Sequence, residues 1–314
     1  MFLLLLSSPV QACGPYFDYA QLSWQGQSML QAPTTNFKLE MQRLAVETQA
    51  PPWATPKWVR TQDADRTDLM QLLGDPALIE EALQARAGHT PLPIELPQEF
   101  QSYQVGAIAS HQEDLAGAQA AWTRVLELPA EERQYRGSWA AYMLGNTTQD
   151  PVQAAVWYQQ TRAEIAESGR DSAGLFVASL RQESWAQERA KEPVQALSLC
   201  LQYRSSGASA YCRDLRPLAE QVLAQDDLSL AAEHPLVAQA IAALLTNPES
   251  SVWYRLDLKE QTQRWLAVSE SHRDLAAADR LAWAAYRSGD MEAAQAWLDR
   301  SPNTAMSHWI QAKL

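Results

Sequence analysis

The chain has 314 residues, of which 46% are hydrophobic and 20% charged, a balance that excludes a disordered chain and leaves ample apolar material for a core. Its 25 Lys and Arg stand against 37 Asp and Glu, a formal net charge of −12. That excess of acid excludes a general affinity for nucleic acid or anionic lipid, because both need a basic face. Glycine is scarce (12) and long runs mix Ala, Gln, Glu and Leu, a composition that favours helices.

Residues 1–12 read as a signal peptide. Phe2 to Leu6 form an apolar run, Ser7-Ser8-Pro9 break it, and Val10-Gln11-Ala12 precede Cys13. No basic residue comes before Lys38, as expected if the true start lies upstream of Met1 and part of the charged leader is missing. Val10-Gln11-Ala12-Cys13 resembles a bacterial lipobox, although Gln11 replaces the usual small residue. The resemblance implies lipidation at Cys13, and Gly14 after it implies the outer membrane. Val10 and Ala12 also satisfy ordinary signal cleavage without a lipid. No other segment approaches the ~20 apolar residues of a membrane span.

Ten of the 17 prolines lie at or before Pro97, so residues 13–97 read as an irregular segment with a few helices. Residues 14–35 look extended. A helix is expected from Asn36 to Thr48, where Phe37, Leu39, Met41, Leu44 and Ala45 recur at three- and four-residue steps. Two more are expected at Asp63–Leu73 and Pro76–Ala87, separated by Gly74-Asp75-Pro76. From residue 98 to 314 the pattern is paired helices: 98–111, 114–128, 131–146, 151–167, 171–189, 192–203, 209–224, 228–246, 249–269, 273–288, 290–300 and 303–313. Short breaks carry Pro129, Asp150-Pro151, Gly169, Pro193, Gly207, Asn247-Pro248, Gly289-Asp290 and Pro302. His234-Pro235 falls inside one candidate. The last segment begins a helix and stops without a cap, as the N-terminal portion of a longer protein would. The expected class is all-α, a bundle or an α-solenoid.

Small residues recur where paired helices would cross: Gly106, Gly145 and Ala282 on first helices, and Ala118, Ala155, Ala196 and Ala294 on second helices. Trp122, Tyr158 or Gln159, Cys200 and Leu298 supply bulk at or near them. Two helices crossing at close range need a small side chain where backbones touch and a large one to fill the groove. In this the chain resembles the tetratricopeptide repeat (TPR), with Tyr286-Arg287-Ser288-Gly289-Asp290-Met291 as its turn. The steps of 37 residues (118 to 155) and 41 (155 to 196), against about 34 in that family, make the repeats degenerate. Ala12-Cys13-Gly14-Pro15-Tyr16-Phe17, Tyr103-Gln104-Val105-Gly106-Ala107-Ile108-Ala109, Glu131-Glu132-Arg133-Gln134-Tyr135-Arg136 and Trp139-Ala140-Ala141-Tyr142-Met143-Leu144-Gly145 resemble a group of exported bacterial TPR-like proteins of unknown function. That resemblance implies a fold and a compartment and no chemistry.

The search for chemistry is mostly negative. Glycine-rich phosphate loops, HExxH and GxSxG are absent, and His89, His111, His234, His272 and His308 are scattered. Asp63/Asp65/Asp68 and Asp226-Asp227 read as solvated caps. Cys200 and Cys212 are compatible with a disulfide in an oxidising compartment or with two buried thiols. Arg181-Gln182-Glu183-Ser184-Trp185 resembles the Glu-Ser signature of lytic transglycosylases, which would make Glu183 an acid, but the Gly-Leu-Met-Gln-type segment that should follow is absent. Trp122, Trp157, Trp265 and Trp297 read as core. The repeat resemblance places Tyr103, Ser110, His111, Trp139, Asn146, Arg181, Trp185, Glu188, Asp279, Trp283 and Arg287 on one concave face.

The expectation is a non-enzymatic TPR-like scaffold. It would bind a protein or peptide partner in the periplasm or on the periplasmic face of the outer membrane. It would need no cofactor or metal, bind no nucleic acid, and meet a membrane only through Cys13. The alternative is a peptidoglycan-associated protein or an accessory to a transglycosylase-type enzyme.

Overall fold

The structure of the protein, a computed structural model, describes residues 37–47, 59–206, 215–246, 258–270 and 277–314. Among these residues there are sixteen α-helices and no strand. Three precede the Pro-rich connector: α1 (Phe37–Glu47), α2 (Thr61–Leu72) and α3 (Pro76–Ala87). Six follow it: α4 (Gln98–His111), α5 (Leu115–Leu126), α6 (Gly137–Thr147), α7 (Pro151–Ser168), α8 (Leu175–Arg189) and α9 (Pro193–Ser205). The remainder are α10 (Leu215–Leu223), α11 (Ser229–Glu233), α12 (Pro235–Thr246), α13 (Leu258–Ser269), α14 (Ala278–Ser288), α15 (Met291–Leu298) and α16 (Ala305–Gln311). The signal segment, Cys13, residues 14–35 and Cys212 lie outside the described residues.

The helix ends follow from capping chemistry. Asp75, Asp114, Asp150 and Asp290 each accept a backbone N–H from the first turn of α3, α5, α7 and α15. Gly289 ends α14 in the left-handed region (φ 85°), and Asp290 then starts the next helix. Thr304 and Ser307 form a reciprocal capping box at α16.

Three expected helices start or break elsewhere, for local reasons. The candidate 131–146 becomes a 3-10 turn at Ala130–Glu132 followed by α6. Glu99 Oε2 takes the N–H groups of Tyr135 (2.9 Å) and Arg136 (2.7 Å), while Arg133 Nη1 donates to the Leu126 (3.1 Å) and Leu128 (2.5 Å) carbonyls at the end of α5. The candidate 171–189 starts only at Leu175, because Gly174 is left-handed (φ 68°) and Asp171 accepts from Leu175 N (2.6 Å). The candidate 228–246 divides at His234-Pro235 into α11 and α12, since proline has no N–H to continue the ladder.

Successive helices from α4 to α9 pack against one another in chain order, and α6 also reaches α8. In the later half α14 packs against α12, α13, α15 and α16. Close crossings occur at glycine. A Cβ on Gly106 would lie 2.6 Å from Trp122 Cδ1, and one on Gly145 would lie 2.6 Å from Tyr158 Cε1. Each glycine of a first helix therefore receives the large ring of the second helix, the ridge-and-groove fit that the sequence spacing implies.

Packing crosses the connector. Phe37, Met41 and Leu44 of α1 join the core built by α9 and α12, more than 150 residues away. Glu40, 4% exposed, pairs there with Arg280, 5% exposed. Trp265 and Trp297 are buried in the same core, Trp122 is buried among α4–α6, and Trp157 packs against the latter cluster half-buried. Helices α2 and α3 pack on each other over Leu69, Ile79 and Ala82, joined by Leu92, Leu96 and Phe100.

Candidate functional site

The interior between α2, α3, α4 and the start of α6 holds a charged network. Arg136 is 1% exposed. Its Nη2 donates to Asp65 Oδ1 (2.8 Å) and its Nη1 to Asp68 Oδ2 (2.5 Å). Arg86 reaches the other oxygen of Asp65 (2.8 Å) and also Gln104 Oε1 (3.1 Å), whose amide donates to the Thr90 carbonyl (2.8 Å). The Arg136 guanidinium stacks over Phe100 (4.1 Å) and Trp139 (4.6 Å), and Arg86 over Tyr103 (5.1 Å).

Electrostatics here oppose the acids. Burial raises the pKa of Asp68 above the usual carboxylate range, against the lowering pull of Arg136 and Ser172. Burial likewise raises Glu99, against the two backbone N–H groups it accepts. Three carboxylates and two guanidiniums enclosed by rings make a lock that fixes α2 and α3 on α4 and α6. Asp65, Asp68, Glu99 and Arg136 are all buried, while Arg86 keeps 14% of its side chain exposed.

This network corrects the reading of Asp65 and Asp68 as solvated. They are 2% and 3% exposed because two arginines, 21 and 71 residues from Asp65, neutralise them. Tyr103 and Trp139 also belong to it, both 5% exposed and in edge contact (5.8 Å), so they present nothing to a partner. Asp279, 8% exposed, is likewise removed from the concave face, because its carboxylate accepts from Thr304 Oγ1 (2.9 Å).

The other candidates remain near the surface. His111 is exposed and stacks on His89 at 3.9 Å. Asn146 is exposed and accepts from the Tyr158 hydroxyl (3.0 Å). Ser110 and Glu188 are half-buried. Arg181 lies 5.1 Å over Trp185, one turn along α8, and Arg287 lies 5.7 Å from Trp283 on α14. Arg181 Nε, Trp185 Nε1 and Trp283 Nε1 are shielded from water and have no acceptor. Among the described residues no ring or cation contact links one of these pairs to another. They form separate patches along the stack.

Glu183 is 2% exposed, ion-paired with Arg162, and accepts from Gln159 Nε2 (2.7 Å). Both partners lie on α7, so the buried carboxylate ties α8 to α7. Ser198 Oγ and His234 Nε2 stand 2.7 Å apart, and burial holds the imidazole below its ordinary pKa. His234 Nδ1 has no partner, so no carboxylate orients the ring as a nucleophilic triad requires. Cys200 is disulfide-bonded and accepts from Ser184 Oγ (3.4 Å); its partner lies outside the described residues. Among the described residues no group of three His, Cys, Asp or Glu side chains could hold a metal ion, and no helix is long and apolar enough to cross a membrane. An open groove of about 440 Å³ runs between α3 and the connector, lined by Asp75, Leu78, Glu81, Pro93, Ile94 and Glu95.

No protein-family model matches the chain, and no curated protein or solved structure shows significant similarity to it.

Proposed function

We propose that the protein is an α-solenoid of degenerate TPR-like hairpins that acts as a non-enzymatic scaffold for a protein or peptide partner in the bacterial envelope. The observation that carries this reading is the paired crossing: Gly106 under Trp122 and Gly145 under Tyr158, in hairpins that stack in chain order. Stacked hairpins build a long surface from side chains alone. On it Arg181–Trp185 and Trp283–Arg287 present cation–indole pairs, the residue types that dominate binding energy at protein interfaces. Residues 1–12 would direct export, and lipidated Cys13 would hold the scaffold at the outer membrane. In the same oxidising compartment Cys200 would pair with Cys212.

The peptidoglycan alternative loses its residue-level warrant, because Glu183 is consumed by Arg162 and Gln159. The test is affinity capture of the full chain from cross-linked envelopes, with R181A and R287A variants beside it. One dominant envelope protein, diminished by either variant, supports the scaffold. Cell-wall fragments recovered without a protein would return the alternative.

A further inference from the structure

Three aromatic side chains and two cations meet where α14 and α16 pack. Trp283 and Tyr286, three residues apart on α14, lie nearly parallel (5.7 Å, 13°). Trp309 of α16 stands edge-on to both, 4.5 Å from Trp283 and 6.4 Å from Tyr286. The rings form an inside corner whose outer wall, Trp309, is 45% exposed. Arg287 flanks the Trp283 ring at 5.7 Å and Lys313 Nζ flanks the Trp309 ring at 5.6 Å.

Among the described residues neither cation is ion-paired with a carboxylate. The hydrogen bond of Arg287 is a long one, from Nη1 to the Thr246 carbonyl (3.4 Å). Partial burial of its guanidinium, on an otherwise exposed side chain, pushes the Arg287 pKa below the ordinary arginine value. Asp279, on the same helix, is buried and accepts from Thr304. The indole N–H of Trp283 lacks an acceptor too, so the charged and N–H groups of this corner are all donors. In a chain with 37 acidic residues and a net charge of −12, two cations without an acid on one aromatic corner describe a complement to something anionic.

We infer that this corner is a docking seat for an acidic peptide segment, with Asp or Glu carboxylates on Arg287 or Lys313 and the adjacent apolar or aromatic side chain against Trp283, Tyr286 and Trp309. The net charge of the chain repels a densely charged polyanion such as a membrane or nucleic acid far more than a peptide with one or two carboxylates. A carboxylate beside an apolar group matches a cation beside an indole, at Arg287 with Trp283 and at Lys313 with Trp309. An arginine lying on an aromatic face also prefers the planar carboxylate as partner. This assignment rests on the scaffold reading and names the class of its partner.

The test pans a phage library of random short peptides on the purified full chain, with counter-selection on R287A and W309A variants. Arg287 and Trp309 are exposed, so both variants should keep the wild-type circular dichroism. The expected clones carry Asp or Glu next to a large apolar residue. A synthetic copy should bind at least about tenfold more weakly to R287A, and a copy with the acids changed to amides should lose a similar factor. Basic or uncharged clones, or clones that bind both variants as well as wild type, overturn the seat, while a partner still captured from envelopes leaves the scaffold standing. Failure of both library and capture overturns both readings. Isolated cell-wall sacculi retained through Trp309 would make the corner a glycan seat and overturn the peptide assignment.

Discussion

Replacing Gly106 by Ala sets two effects against each other. At an ordinary mid-helix position the change stabilises by about 1 kcal/mol through helix propensity. Here the new methyl would sit 2.6 Å from Trp122 Cδ1 and 2.8 Å from Cε2, where carbon atoms in contact keep roughly 3.5–4.0 Å. Trp122 is fully buried and has no room to retreat. Overpacking of this kind costs about 1–3 kcal/mol. A forced retreat would also break the bond from Trp122 Nε1 to the Tyr103 carbonyl (3.3 Å). Stranding that buried donor costs about 1–3 kcal/mol more. The clash should win, leaving a net loss of roughly 1–5 kcal/mol. Thermal unfolding followed by circular dichroism reads it as a fall of about 2–8 °C in Tm. In a Trp122→Leu background the same Gly106→Ala change should become neutral or stabilising, because the ring it strikes is gone. A Gly106→Ala protein that melts higher than wild type would refute the crossing geometry, and with it the physical basis of the repeat reading.

Arg136→Met should cost about 3–5 kcal/mol by urea unfolding, because it strands Asp68 as a buried charge and leaves Asp65 to Arg86 alone; a loss under ~1 kcal/mol would mean the network is wet and weak. Glu99 has a raised pKa in the folded chain, so as pH climbs from the usual carboxylate range toward that higher value the unfolded chain ionises first and Glu99 withdraws stability. Glu99→Gln keeps the acceptor and removes the charge; its Tm relative to wild type should therefore rise from mildly acidic to neutral pH, and a constant or falling difference would contradict burial as the cause. Glu40→Ala should speed hydrogen exchange in α1 while leaving α4–α9 protected, since Glu40–Arg280 pins that helix; uniform loss of protection would show that α1 is integral to the whole fold instead.

The helical class is legible in the sequence because its signals are local. Helices α3 and α4 match the periodicity and the Pro and Gly punctuation to the residue, and Gly106, Gly145 and Gly289-Asp290 mark crossings and a turn through chemistry that acts within one hairpin. The start of α6 is not legible, because the N–H groups of Tyr135 and Arg136 just before it are held by Glu99, 36 residues upstream of Tyr135. Nor is the charged network. Asp65 and Asp68 share a helical face beside Leu69, which hints at burial, but nothing in the chain announces that Arg86 and Arg136 will meet them. Tyr103, Trp139 and Asp279 were placed on a surface by repeat analogy. The interior claims them because the same network and the Thr304 cap need them. The aromatic corner draws Tyr286, Trp309 and Lys313 to Trp283 and Arg287, and only the packing of α16 on α14 brings those five together.

The scaffold claim is tested most directly by reconstituting the purified chain with the envelope protein it captures and titrating one into the other by calorimetry. A saturable complex of fixed stoichiometry is expected, weakened at least about tenfold by R181A or R287A with folding intact. A partner that binds both variants as tightly as wild type, or heat that reports turnover instead of saturation, would contradict it.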